Sequence, residues 1–208
     1  MKTMLILTGP QGSGNHLWSK IFALHPQVQG WSELNSTYWI GHDQEPFADC
    51  WADPDLLQQR DWSSSNYYVT GVSTPYMLNG ECTVPDIVRF AATVMGQGIR
   101  VKIAIIGRDR NILTYQETRV RGETTFEIAQ KEFELLRTWS PVFLSYELLH
   151  LYRDLYLQQL SDQLEFPIDY DNPAVDIILQ DDTNSKYFKP VLHHATDDLA
   201  RHTSRKWR

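Results

Sequence analysis

The chain has 208 residues, 42% hydrophobic and 12% aromatic, which is enough to bury one sizeable core and too little for two full domains, so a single domain over residues 1–208 is expected. A formal charge of −7 argues against nonspecific nucleic-acid or acidic-membrane binding, and seven tryptophans at 22% charged residues argue against a disordered chain. The opening MKTMLILTGP is too short an apolar run for a signal-peptide core or a membrane span, so the reading is a cytoplasmic protein with no membrane partner and with Cys50 and Cys82 as reduced thiols.

The charge is unevenly spread. Arg100, Lys102, Arg108, Arg110, Arg119 and Arg121 lie close together against Asp109 and Glu117, while residues 31–62 hold seven acidic residues and Arg60 alone. An anionic ligand would therefore be held by local charge.

Taken in chain order, TMLILT at residues 3–8 reads as a short buried strand stopped by Gly-Pro, and NHLWSKIFALH places Leu17, Trp18, Ile21 and Phe22 on one face of a helix. A short second strand is expected near residues 28–31. An irregular insertion with small helices follows, at about residues 32–66. YYVTGVS at 67–73 reads as a third strand, and residues 85–95 as a helix with Pro85 in its first turn. The apolar run at 101–106 belongs in mid-sheet, buried on both faces. GETTFEIAQKEFELLRTWS follows as a helix capped by Thr124 or Thr125, then VFLSY as a strand. Residues 147–164 read as an amphipathic helix whose stripe is Leu149, Tyr152, Tyr156, Leu160 and Leu164. Strands alternating with helices predict an α/β three-layer sandwich with a central parallel sheet of about five strands and a ligand at the strands' carboxyl ends.

Between the first strand and helix lies GPQGSGNH, residues 9–16, which fits G-x-x-x-x-G but has Asn15 and His16 where a Walker loop has Lys and Ser or Thr. Glycines let consecutive N–H groups face one concavity, and the helix start adds its positive end, so anion binding survives without the lysine. A tight turn that merely needs glycine is the plainer reading of the same residues. His16, if protonated, supplies charge beside the anion; Lys186, Lys189 and Arg110 are the other cations that would reach in, whereas Lys20, roughly 9 Å beyond Gly14 along the helix, is a poorer substitute. His193, His194 and His202 complete no ligand spacing, so no metal is expected. Trp31, Trp39, Trp51 and Trp62 read as anchors of the insertion, with stacking on a sugar or aromatic ring as the alternative.

The stretch GPQGSGNHLWSKIFALHP resembles the 5′-phosphosulfate loop of sulfotransferases that use 3′-phosphoadenosine 5′-phosphosulfate (PAPS) as donor, matching at Gly9, Pro10, Ser13, Gly14, His25 and Pro26. IIGRDRNILTYQ is similar to the family's 3′-phosphate strand, loop and helix, VFLSYELLHLYRDLYLQQLSDQLEFPI to its late strand and helix, and NSKYFKP to a C-terminal stretch. These pieces keep the family's order and cover roughly half the chain. The chain departs from the family at Gly12, where the lysine belongs, and at Asn15 and His16, where hydroxyls belong.

The resemblance implies transfer of a sulfuryl group from PAPS to a hydroxyl or amine of a small-molecule or carbohydrate acceptor. It assigns the 5′-phosphosulfate to the amides around Gln11, Gly12, Ser13, Gly14, Asn15 and His16, with Lys186 as a further donor contact, and the 3′-phosphate to Arg108 with Thr114 or Gln116. Glu33, following the second strand, is the implied catalytic base, with His16 as the second catalytic candidate. Two rivals stand beside this reading: a P-loop kinase or nucleotide hydrolase with Asp109 holding magnesium, and a noncatalytic nucleotide-binding relic. Oligomeric state is left open.

Overall fold

A computed structural model describes residues 1–30, 45–78, 80–180 and 182–187. β1 (Thr3–Gly9) is buried along its whole length because it has a neighbour on both edges and helices over both faces. It pairs in parallel with β3 (Tyr67–Ser73) on one side and β6 (Arg100–Gly107) on the other. β2 (Val28–Gln29) adds to β3, and β7 (Val142–Ser145) to β6, giving a five-stranded parallel sheet in the order β2-β3-β1-β6-β7.

Alternation along β1 sends its side chains to two cores. Leu5 and Leu7 pack with Trp18, Ile21 and Phe22 of α1 (Asn15–Ala23) and with Leu149, Leu157 and Leu160 of α6 (Tyr146–Leu164). Met4 and Ile6 face the other way, toward Trp51 of α2 (Ala48–Ala52) and Phe90, Ala91 and Val94 of α3 (Ile87–Gly96). The expected three-layer α/β sandwich is thus the observed one. No helix among the described residues is long and apolar enough to cross a membrane.

Several local expectations need correction. β4 (Tyr76–Leu78) and β5 (Glu81–Thr83) form an antiparallel pair that the sequence reading passed over. α3 starts one residue after Asp86, whose side chain accepts from Arg89 N at 2.9 Å; Pro85 therefore precedes the cap and is not in the first turn. Thr125 stands at the N-cap of α5 (Phe126–Leu135), but its hydroxyl donates to the buried Glu117 at 2.9 Å and leaves the helix uncapped. The insertion carries small helices as expected, α2 and a 3-10 turn at Pro54–Gln59.

The stripe of α6 also changes. Arg153 has φ 42 and ψ −116, which breaks the helix in its middle and resets the buried face. Tyr152 ends 50% exposed and Leu157 takes the core position. Arg153 pairs with Asp176 on α7 (Ala174–Ile178).

The basic cluster is split by β6 itself. Arg100 and Lys102, at its start, both pair with Glu165 and lie at the opposite end from the glycine loop. Only Arg108 and the residues of α4 (Arg110–Arg121) follow the strand's carboxyl end.

Leu7→Ala, in the fully buried centre of the sheet, should lower unfolding stability by about 2–5 kcal/mol, while Leu151→Ala, 68% exposed on α6, should stay within about 0.5 kcal/mol. Urea titration of the two variants against the parent chain measures the contrast.

Candidate functional site

The loop leaves β1 at Gly9 and enters α1 at Asn15. Ser13 N donates to the Pro10 carbonyl at 3.0 Å, and the first intrahelical bond is Trp18 N to Gly14 O, also 3.0 Å. The N–H groups before that bond have no acceptor within the helix. Gly14, the N-cap residue, has φ 108, and no acidic side chain sits in the helix's first turn to occupy its positive end.

Around this helix start the side chains are buried yet incompletely bonded. Gln11, Ser13 and Asn15 are 7%, 0% and 8% exposed. Gln11 Nε2, Ser13 Oγ and Asn15 Oδ1 have no hydrogen-bond partner, and the same holds for Gln116 Oε1. Leaving such groups unmade costs about 1–3 kcal/mol each, so three of them at the loop and helix start with a fourth facing them from α4 (Arg110–Arg121) require an explanation that a plain turn does not provide. Asn15, in the Walker-lysine position, is held by donating from Nδ2 to Ser73 Oγ at 3.0 Å.

Gln116 packs against the loop at Gly12. Its carboxamide lies over Gly12 from α4, so that a Cβ at residue 12 would come within 2.7 Å of Oε1. Gly12 also has φ 82, where an L side chain is strained. A side chain at residue 12 would have to displace the Gln116 carboxamide and would sit at a strained φ. Of the two residues left open on α4, Gln116 faces the loop; Thr114 turns its hydroxyl back to the Arg110 carbonyl at 2.7 Å.

Arg108, closing β6, is the cation of the site. Its Nη1 donates to the Gly12 carbonyl at 2.7 Å, its Nη2 to Thr183 Oγ1 at 2.8 Å and its Nε to Asn184 Oδ1 at 2.7 Å. The guanidinium lies 4.3 Å from the Tyr146 ring centroid. Every one of these partners is neutral, and Arg108 forms no ion pair among the described residues. Tyr146 itself is anchored by a 2.9 Å contact between its hydroxyl and Thr183 Oγ1, and burial pushes its phenol above the ordinary range. Its ring also packs on His150, whose pKa burial pushes down and whose Nε2 is buried without a partner.

Two residues that the sequence reading did not single out join this centre. Glu45, 8% exposed, places Oε1 2.5 Å from His16 Nε2, so a proton is held between a buried carboxylate and the first turn of α1. Asn184, from the 3-10 turn Thr183–Lys186, reaches Arg108 from the tail together with Thr183, while Lys186 is exposed on the same turn. Lys20 is buried, which lowers its pKa. Arg110 turns to the Phe126 ring, 5.9 Å away. Glu33, Trp31, Trp39, Lys189, His193, His194 and His202 lie outside the described residues. Trp51 and Trp62 are core anchors, stacked on Phe90 and Phe47.

Asp109 acts as a helix cap, its Oδ1 accepting from Asn111 N at 2.8 Å and Ile112 N at 3.0 Å. The Ser145-Tyr146-Glu147 junction locks this corner: Ser145 caps α6 through Leu148 N, and Glu147 Oε1 accepts from Asp109 N at 2.8 Å. No group of three His, Cys, Asp or Glu side chains suited to a metal occurs among the described residues.

A glycine-rich loop between the first strand and helix of a parallel sheet ordered β2-β3-β1-β6-β7 defines a P-loop-like α/β fold. No protein-family model matches the chain, and no curated protein does. Among solved structures it is similar to the tunicamycin resistance protein of Deinococcus radiodurans, at 14% identity and a TM-score of 0.47, over 81% of this chain and 98% of that one. The fold assignment rests on the strand order and the loop.

Arg108→Ala should release the C-terminal turn from the loop. Amide hydrogen exchange over residues 182–187 is expected to rise at least about tenfold while β1 amides stay protected. Unchanged exchange there would show that the guanidinium is not the clasp.

Proposed function

We propose that the protein is a sulfotransferase that takes a sulfuryl group from PAPS and passes it to a hydroxyl or amine. The observation that carries this reading is the set of buried, unpartnered polar atoms on the loop beside an arginine with only neutral partners. A bound phosphosulfate would satisfy the loop, and the adenosine 3′-phosphate would give Arg108 the anion it lacks. Gln116, already against Gly12, is the α4 residue placed to join either group.

In the transfer the acceptor oxygen or nitrogen forms a bond to sulfur, the bond from sulfur to the 5′-phosphate oxygen breaks, and the bond's electrons leave with adenosine 3′,5′-bisphosphate. The acceptor proton passes to a base. The chain's work is alignment and stabilisation of charge on the transferring oxygens, for which fixed N–H dipoles at a helix start are suited. Glu33 is the candidate base, and His16, paired to Glu45 at that helix start, is the second candidate.

A P-loop kinase shares the sheet order, and the two readings differ in ligand. Adenosine 3′,5′-bisphosphate without magnesium should stabilise the chain by about 2.7 kcal/mol at a hundredfold excess over Kd, read as a rise in Tm. Stabilisation by magnesium-ATP alone would support the kinase, and by neither the relic. Arg108→Ala should weaken bisphosphate binding about tenfold or more.

Glu33→Gln and Glu45→Gln separate the two bases. The variant lacking the base is expected to lose at least about a hundredfold in kcat with donor affinity retained. Full activity in both would remove both from the mechanism.

A further inference from the structure

A second concavity adjoins the loop on the face opposite α1. It has a volume of about 650 Å³ and runs between β6, β7 and α5, with Pro10 of the glycine loop in its wall. That size suits a small molecule. Its apolar walls come from Ile105, Phe126, Phe133 and Phe143.

Phe143 is the unusual member. It pairs in register with Ile105 on the neighbouring strand, which puts both side chains on one face of the sheet. Ile105 is 5% exposed there and Phe143 is 70% exposed. A phenylalanine that open on a strand beside an otherwise closed core is the wall of a groove rather than part of the packing.

The charges in the groove are unequal. Arg137 is neutralised by Glu134 one helical turn away, at 3.0 Å. Arg110 has no such partner among the described residues and lies 5.9 Å from the Phe126 ring centroid. It is the first residue of α4, two positions after the clasp residue Arg108.

We infer that this groove binds a small aromatic molecule bearing an anionic substituent, its ring between Phe126, Phe133 and Phe143 and its charge on Arg110. A flat ring fills a slot walled by phenylalanines, and a carboxylate or similar group pairs with an arginine fork whose charge is otherwise unanswered. A nucleobase brings no charge for Arg110. A carbohydrate presents hydroxyls on every side to walls that are largely hydrocarbon. Because Pro10 belongs to both the groove and the loop, a ligand seated here has one end beside the anion site. Its role as the acceptor rests on the sulfotransferase reading; its binding does not.

Isothermal titration of the full chain with 2-naphthoate, 2-naphthol and methyl glucoside tests the inference. Naphthoate is expected to bind saturably, naphthol several-fold more weakly, and the glucoside not at all. Arg110→Ala should cost about tenfold for naphthoate and little for naphthol, and Gln130→Trp, an exposed groove position on α5, should weaken both. Both substitutions are on the surface and leave the core intact. Parallel titrations use adenosine 3′,5′-bisphosphate. Bisphosphate binding with no naphthoate binding overturns the groove alone, and the converse overturns the donor reading alone. Naphthoate affinity unchanged by either substitution, or equalled by the glucoside, also overturns the assignment.

Discussion

A guanidinium held by neutral oxygens is the joint on which the site depends. Arg108 ties the end of β6 to the Gly12 carbonyl, to the Tyr146 ring at the start of α6, and to Thr183 and Asn184 of the C-terminal turn. Four segments far apart in sequence thus meet on one side chain. An arginine paired to a carboxylate would be electrostatically complete; one bonded to carbonyl, hydroxyl and amide oxygens keeps its charge for something else. Its neighbours fix the fork's direction: Asp109 caps α4 immediately after it, and Glu147 pins the Asp109 amide from α6. The clasp and the charge are the same group, so the position of the tail is coupled to whatever Arg108 binds.

The loop carries no lysine. Gly12 is left-handed and packed under the Gln116 carboxamide, and the Walker position holds Asn15, which is bound to Ser73. Positive potential then comes from the helix start and from Arg108. Such a site stabilises charge mainly with dipoles that are already oriented, and oriented dipoles need no reorganisation when an anion arrives.

Much of this was legible in the chain because the physics is local. β1 and β6 are short apolar runs buried on both faces, and their hydrophobicity announces them. The glycine loop is visible because left-handed turns demand glycine. The break in α6 was hidden, since Arg153 is neither proline nor glycine and nothing in the local sequence marks it. Glu45 was hidden for the same reason: its partner is 29 residues earlier and no spacing marks the pair. In the tail, Thr183 and Asn184 were hidden because neither carries a charge, yet each offers the Arg108 guanidinium an acceptor. The β4–β5 pair lies in a stretch with too little alternation to declare itself.

The orphaned atoms of the loop are not all of one sign. Gln11 Nε2 and Ser13 Oγ can donate to an anion, while Asn15 Oδ1 and Gln116 Oε1 are acceptors. The contradiction resolves through Ser73, whose hydroxyl is as good a donor as an acceptor. If the Asn15 amide turns over, its oxygen accepts from Ser73 Oγ and its N–H groups face the loop, with no bond lost. Gln116 has the same freedom, being unbonded at Oε1. The loop is thus able to present donors alone, all neutral, around one concavity. Neutral donors gain less from a dianion than a lysine does, so the pull of this side-chain set on an anion is set by how many of its N–H and O–H groups turn toward the loop.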